Sequence, residues 1–217
     1  MREKCGSFTG LVAFTASVNS VIVRTAGAKE GESARAQLVS GDFFQVLGVP
    51  ALIGRTLGPE DDREPGGHPV AVISHGYWKR RWAQNPDVLG QTVTVSGVTF
   101  TIVGVTPPEF FGVVVGSPAD IWMPTLMQHE IRYRSNYGSR GNSRSEMPWL
   151  NQPNIAWLAV MGRMRRGVTA SQAAAEASML FRQFESARDR GTPELGPGAT
   201  PRDRDPDRNR GSGAGGC

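Results

Sequence analysis

A mixed α/β fold, made of short mixed sheets, a β-hairpin and flanking helices, is what this 217-residue sequence predicts. Three observations carry the prediction. Strand-like runs rich in Val and Ile alternate with helix-period runs from Val18 to Phe184. Two apolar runs end on a serine, Ser40 and Ser74, each followed by an amphipathic stretch, the order of a strand passing into a capped helix. Apolar residues alternate with threonines on both sides of Ser96-Gly97, the pattern of a hairpin.

Val18 to Arg24, VNSVIVR, has the β-branched content of a strand, and AKEGES after it is a polar turn. Arg35 to Val39 is the next strand. It runs into Ser40, whose hydroxyl can accept a free backbone N–H and so cap the short helix GDFFQVLG, which Gly48 ends. Phe43, Phe44 and Leu47 give that helix one buried face. Pro59 to Gly67 is a charged, turn-rich loop, and Val70 to Ile73 is a strongly apolar strand. Ser74 caps the helix that follows, through about Ala83, and on it Trp78 and Trp82 stand four apart and share a face docked on the sheet. In the hairpin, Val93 and Val95 alternate with Thr92 and Thr94, and Phe100 and Ile102 with Thr99 and Thr101. Pro107-Pro108 stops its second strand, and Ala119 to Met123 is another short strand.

From Met127 to Pro153 the chain turns polar, with Arg132, Arg134, Arg140 and Arg144 among Ser, Asn and Gly, and reads as a long loop or mobile insertion. Ile155 to Met164 is a strand. Thr169 and Gln172 stand at capping-box spacing before a helix carrying Ala170, Ala173, Ala174, Ala177, Leu180, Phe181 and Phe184 at helical intervals, its small residues suited to close packing. Residues 196–217 offer almost no apolar surface to offset the entropy of ordering and are expected to be a disordered tail.

With 24 basic and 20 acidic residues and a pI near 9.5, the net charge of +4 is too small to demand a nucleic-acid partner. Cys5 and Cys217 lie at opposite extremes of the chain, so no structural disulfide is expected between them. The start breaks its apolar run at Gly6, Ser7, Thr9 and Gly10, unlike the apolar core of a signal peptide, and no run of about 18 apolar residues spans a bilayer, so the chain taken alone reads as soluble.

Catalytic chemistry has few candidates. Ser74 in VISHG follows a strand and opens a helix, like a nucleophile elbow, but Val72 stands where that motif needs a small residue, and capping explains the serine. His68, His75 and His129 form no metal-binding spacing. Glu60, Asp61, Asp62 and Glu64 lack the alternation of a calcium loop and read as a solvated acidic turn. Gly112 to Gly116 is glycine-punctuated without the Lys-Ser or Lys-Thr of a phosphate-binding loop. Lys79, Arg80 and Arg81 are a basic flank, but Trp78 and Trp82 are committed to a core face and not displayed for base stacking. No catalytic, cofactor-binding or metal-binding residue is assigned, and no cofactor is expected.

The segments VSGDFFQVLGV, IGR, VAVISHGYWKRRW, VLGQTVTVSG, FTIVGVTPPEF and DIWMP, in this order, resemble the MacB-type periplasmic core domain of FtsX-like ABC transporter permeases, most of all the acidobacterial type. The likeness is strong from Arg35 to Pro124 and looser through SFTGLVAF and GRMRRGVTASQAAAE. It implies a two-lobed domain over residues 1–190, on the extracytoplasmic side of the membrane and inserted between transmembrane helices absent from this chain. One lobe would hold the early strands and the helices after Ser40 and Ser74, the other the hairpin around Ser96-Gly97, with Ile155 to Phe184 rejoining the first. The implied function is non-enzymatic transmission of ATP-driven motion. The implied partners are the permease's membrane helices, an ABC ATPase domain or subunit, a periplasmic adaptor protein and, in the full-length permease, a second copy. A soluble serine hydrolase using Ser74, or a nonfunctional truncated fragment in which the tail replaces the linker to a membrane helix, is the rival.

Overall fold

Six strands hydrogen-bond in a circle, and that closure organises the rest of the chain. The structure is a computed structural model and describes residues 6–139, 147–152 and 154–191. Its elements are β1 (Phe8–Thr15), β2 (Asn19–Thr25), β3 (Glu32–Val39), α1 (Phe43–Leu47), β4 (Ile53–Gly54), β5 (Val70–Ile73), α2 (His75–Trp82), β6 (Thr92–Val95), β7 (Val98–Val105), β8 (Ile121–Pro124), β9 (Gly138–Ser139), β10 (Ile155–Ala156), β11 (Leu158–Met164) and α3 (Ala170–Gly191). One nine-stranded mixed sheet runs β11-β1-β3-β2-β6-β7-β5-β8, with β4 beside β7, and β8 pairs back onto β3. The β9 and β10 strands form a separate pair.

The circle is β3-β2-β6-β7-β5-β8, and period-2 alternation sends every second side chain into it. Val23, Ala36, Ile73, Val95, Phe100 and Ile121 meet there, all but Ala36 fully buried, with Ala36 4% exposed. Each large side chain contributes about 1.5–3 kcal/mol by leaving water. Alanines at 34, 36 and 71 keep the narrow interior from overfilling. The opposite faces of β3, β5 and β8 present Val39, Val72 and Trp122 to a second core, completed by Val12 and Phe14 of β1 and Phe43 and Phe44 of α1. The rings of Phe44 and Phe110 stand 5.7 and 5.4 Å from Trp122.

Local signals produce the elements they promise. Ser96 and Gly97 have φ of 52° and 88°, the doubly left-handed backbone of the tight turn that matches strand twist. The Tyr77 N–H donates to Ser74 Oγ at 3.1 Å, so Ser74 caps α2. Trp78 and Trp82 both pack against the inner core. Gly48 ends α1 at φ 72°. Thr169 and Gln172 form the expected capping box, with Thr169 N–H to Gln172 Oε1 at 2.9 Å and Gln172 N–H to Thr169 Oγ1 at 3.3 Å.

Long-range contacts decide the departures. The α/β class holds, but the hairpin is not segregated from the early strands, because β6 pairs directly with β2 through Val23 and Val95. Ser40 does not cap α1. Its N–H donates to the Ala13 carbonyl at 2.8 Å and its Oγ accepts the Ala13 N–H at 3.0 Å, so it is bound to β1, and Asp42 takes the capping position without a side-chain capping bond. The β1 strand itself is absent from the sequence reading, since Gly6, Ser7, Thr9 and Gly10 dilute its apolar pattern. The expected strand from Ile155 to Met164 breaks at Trp157, which turns into the core. Between 127 and 153, where a loop or insertion is expected, the described residues include the β9 strand, and Met127, Ile131, Tyr133 and Trp149 are all buried. Residues 140–146 and Pro153 lie outside the described residues, as do Cys5, Cys217 and the tail. On α3, only Ala173 and Leu180 of the expected apolar stripe are buried, while Ala170, Ala174, Ala177 and Phe181 are exposed; the Phe184 side chain lies outside what is described.

Two expected outcomes follow from the packing. The buried Tyr133 hydroxyl has no hydrogen-bond partner among the described residues, so Tyr133→Phe removes an unsatisfied group and is expected to raise stability by up to about 1 kcal/mol in urea denaturation. A Cβ on Gly104 would collide with the Arg55 backbone where β4 crosses β7, so Gly104→Ala is expected to cost about 1–3 kcal/mol in the same assay.

Candidate functional site

Buried polar side chains in otherwise apolar strands need partners, and three of them mark a junction. Gln37 and Thr15 are fully buried and Ser40 is 5% exposed. The Gln37 amide donates through Nε2 to the Thr15 carbonyl at 2.8 Å, and its Oε1 accepts from Trp122 Nε1 at 3.2 Å. Thr15 Oγ1 accepts the Leu38 N–H at 3.2 Å, and Ser40 Oγ donates to Asp42 Oδ1 at 3.0 Å. These bonds tie the end of β1 to the strand ring, where the β1–β3 ladder itself supplies only the Phe14–Val39 pair.

Beyond the junction, β1 and β11 form an antiparallel arm paired from Phe8–Met164 to Thr15–Leu158. The chain enters the fold along one strand of this arm and leaves along the other into α3. The Arg165 N–H donates to the Ser7 carbonyl at 2.9 Å, and Arg163 Nε donates to the Val46 carbonyl of α1 at 2.6 Å. An open cleft of about 460 Å³ lies beside the arm, lined by Phe8, Gly10, Leu11, Gln45, Val46 and Arg163 among others.

The structure disperses the chemical candidates. Ser74 is buried, its hydroxyl engaged by Tyr77, and no hydrogen bond joins it to His68, His75 or His129. His75 Nε2 is instead 3.0 Å from Gln84 Nε2, and its ring lies edge-on to Trp78 at 5.8 Å. Among the described residues no group of three or more His, Cys, Asp or Glu is placed to hold a metal ion, and no helix is long and apolar enough to cross a membrane. In the basic flank, Arg80 pairs with Asp120 at 2.9 Å, and Arg81 reaches Glu32 at 3.3 Å and Thr25 Oγ1 at 2.6 Å. Gly112, at φ 108°, packs beside Trp122 and Gln37.

The acidic turn is not simply solvated. Glu60 and Glu64 are exposed, but Asp61 is 5% exposed and takes a forked pair of bonds from Arg55 at 2.6 and 2.9 Å, plus the Gly58 N–H at 2.8 Å. Asp62 accepts from Thr125 Oγ1 at 2.7 Å, the Leu126 N–H at 2.9 Å and the Gly41 N–H at 3.3 Å. Sequence reasoning missed these roles, as it missed Thr15 and Gln37. The signal available was a polar residue inside an apolar strand, a Gln between Ala36 and Leu38.

Burial by itself would push the Asp61 carboxyl up, but the Arg55 guanidinium and the Gly58 N–H outweigh it and hold it below the ordinary carboxylate value. A carboxyl depressed in the folded state stabilises above its unfolded pKa of about 3.9 and loses that contribution as pH falls through the folded value. Asp61→Asn is expected to cost about 1–3 kcal/mol at neutral pH, the half-exposed Arg55 keeping the figure modest. In urea melts at stepped pH, the gap to the parent should narrow in acid.

Comparison with known proteins places the whole arrangement. Residues 3–180 match the family model of the MacB-like periplasmic core domain. Over 86 residues, 40% of this chain and 13% of the relative, the sequence is 34% identical to a probable export ATP-binding/permease protein MacB of Pseudomonas entomophila. Over a stretch of the same extent it is 29% identical to a probable syringafactin export ATP-binding/permease protein SyfD of Pseudomonas syringae pv. tomato. The matched stretch thus spans 13% of the length of these curated relatives. In fold, the chain is similar to the periplasmic region of MacB from Actinobacillus actinomycetemcomitans, at TM-score 0.59 and 14% identity over 85% of this chain and 71% of that one. It is also similar to the extracellular domain of the ABC-type transporter YknZ from Gram-positive bacteria, at TM-score 0.56 and 15% identity over 85% and 80%. The chain belongs to the MacB-like periplasmic core domain family.

Proposed function

We infer that this chain is the extracytoplasmic part of an ABC transporter permease and that it works without chemistry of its own, passing ATP-driven motion to substrates or partner proteins outside the membrane. The observation that carries this reading is the arm. The entering and leaving passages of the chain lie hydrogen-bonded side by side in β1 and β11 and are fixed to the ring through Thr15, Gln37 and Ser40. A rod of two paired strands ending in a packed ring is suited to transmit displacement, since strand pairs and cores resist deformation. Its proposed partners are the membrane helices of the permease, an ABC ATPase domain or subunit, a periplasmic adaptor and a second copy of the permease. The names of the curated relatives, an export permease and a syringafactin export permease, support export as the process served.

Two measurements test this reading. In a full permease carrying this domain with its ATPase, Gln37→Leu strands the Trp122 N–H and the Thr15 carbonyl and loosens the junction. Export should fall several-fold while ATP hydrolysis continues, and unchanged export in a variant with a verified loosened junction would contradict the reading. Incubation with a fluorophosphonate should leave Ser74 unlabelled; stoichiometric labelling there would replace this function with that of a hydrolase.

A further inference from the structure

The arm is fastened at its open end by one carboxylate, that of Glu176. Glu176 lies on α3, two turns into the helix, and reaches across to the segment that leads into β1. Its Oε1 accepts the Gly6 N–H at 2.6 Å and its Oε2 accepts the Ser7 N–H at 2.7 Å. Two consecutive backbone amides thus converge on the two oxygens of one side chain, separated from them by 170 and 169 positions in sequence. Such charge-assisted bonds are about twice as strong as neutral ones. The Ser7 side chain, and Arg165 in the turn between β11 and α3, also favour the charged form of this carboxylate.

We propose that Glu176 is a clip that binds the chain's entry segment to the first turns of its exit helix, so that α3 as far as Leu180 and the start of β1 move as one piece. The β1–β11 ladder joins the two strands, but α3 lies beyond the end of that ladder, and the backbone bond from Arg165 to Ser7 stops at the turn. The Glu176 contact extends the coupling past the turn and into the helix, beside the packing of the buried Ala173 and Leu180. This role rests on the transmission reading for its purpose and on geometry alone for its existence.

The Ser7 side chain and the Ser7 and Gly6 N–H groups, with Arg165 adding least, hold the Glu176 carboxyl below its ordinary value against the opposing effect of desolvation. A carboxyl lowered in the folded state keeps its bonds above the unfolded pKa and loses them as pH falls through the folded one. In proton–nitrogen correlation spectra of the protein, the Gly6 and Ser7 amide resonances should therefore titrate together at a pH below the usual glutamate range. In Glu176→Gln, which keeps shape and one acceptor oxygen, that titration should vanish while the amides stay partly protected from hydrogen exchange. In Glu176→Ala, both amides should lose protection by tenfold or more while Leu11 and Val12 within the ladder keep theirs. Unchanged shifts and unchanged protection of Gly6 and Ser7 in both variants would overturn the clip. Export by the full permease bears only on the transmission reading: a clip confirmed by these amides, with export untouched in Glu176→Ala, would leave the contact standing and remove its purpose.

Discussion

The four residues of β8 hold the molecule in its closed form. Ile121–Pro124 is buried at every position and pairs on one side with β5, antiparallel, and on the other with β3, parallel. A strand so short supplies few ladder bonds, so its ends are held as well. Ahead of it, Asp120 accepts the Arg35 N–H at 2.9 Å and pairs with Arg80, while its backbone exchanges bonds with Arg35 and Ser74. Behind it, Asp62 gathers Thr125 and Leu126. Without β8 the ring opens between β3 and β5, and the inner core loses Ile121 and Met123 while the outer core loses Trp122. The basic flank of α2 and the acidic turn, read from sequence as a flank and a solvated turn, serve this closure.

Closure in turn gives the arm something rigid to act on. The outward faces of Gln37, Val39 and Trp122 exist as a surface because β3 and β8 are neighbours, and β1 docks on that surface through Phe14, Thr15 and the Ser40 bonds. A buried amide such as Gln37 adds little net stability over an apolar residue, but it accepts one geometry only, because every other placement leaves a donor or acceptor unpaired. The arm is thereby fixed in register as well as in contact, which a purely apolar seam would not ensure. This division, with apolar residues supplying cohesion and polar ones supplying registration, connects the packing of the domain to its proposed work.

Elements whose causes are local were legible in the sequence. The Ser96-Gly97 turn, the Ser74 cap, the Gly48 stop and the Thr169–Gln172 box each depend on residues within a few positions of one another. What was hidden depends on distant chain. Ser40 looks like a helix cap until β1 claims both its N–H and its hydroxyl from 27 positions away. Asp61 and Asp62 look solvated until Arg55 and the end of β8 fold over them. The β1 strand has a glycine where it needs to admit another group, Gly10 lying against Val46, and that glycine, with the polar residues around it, interrupts its periodicity. The α3 helix has the right period but buries only part of its stripe, because period reports which residues share a face and not whether anything covers it. The order of six motifs carried the family, and none of them identified the junction at Thr15, Gln37 and Ser40.

Whether the arm and the ring move as one body is the point on which the account stands. Spin labels at two exposed positions, Val160 on β11 and Ile22 on β2, respectively 65% and 64% exposed, can report it by pulsed electron–electron distance measurement in a full permease. The account predicts one narrow distance distribution that keeps its centre with ATP bound, with ADP bound and without nucleotide. A distribution that splits or shifts between those states would show the arm working loose from the ring and would contradict transmission through this junction.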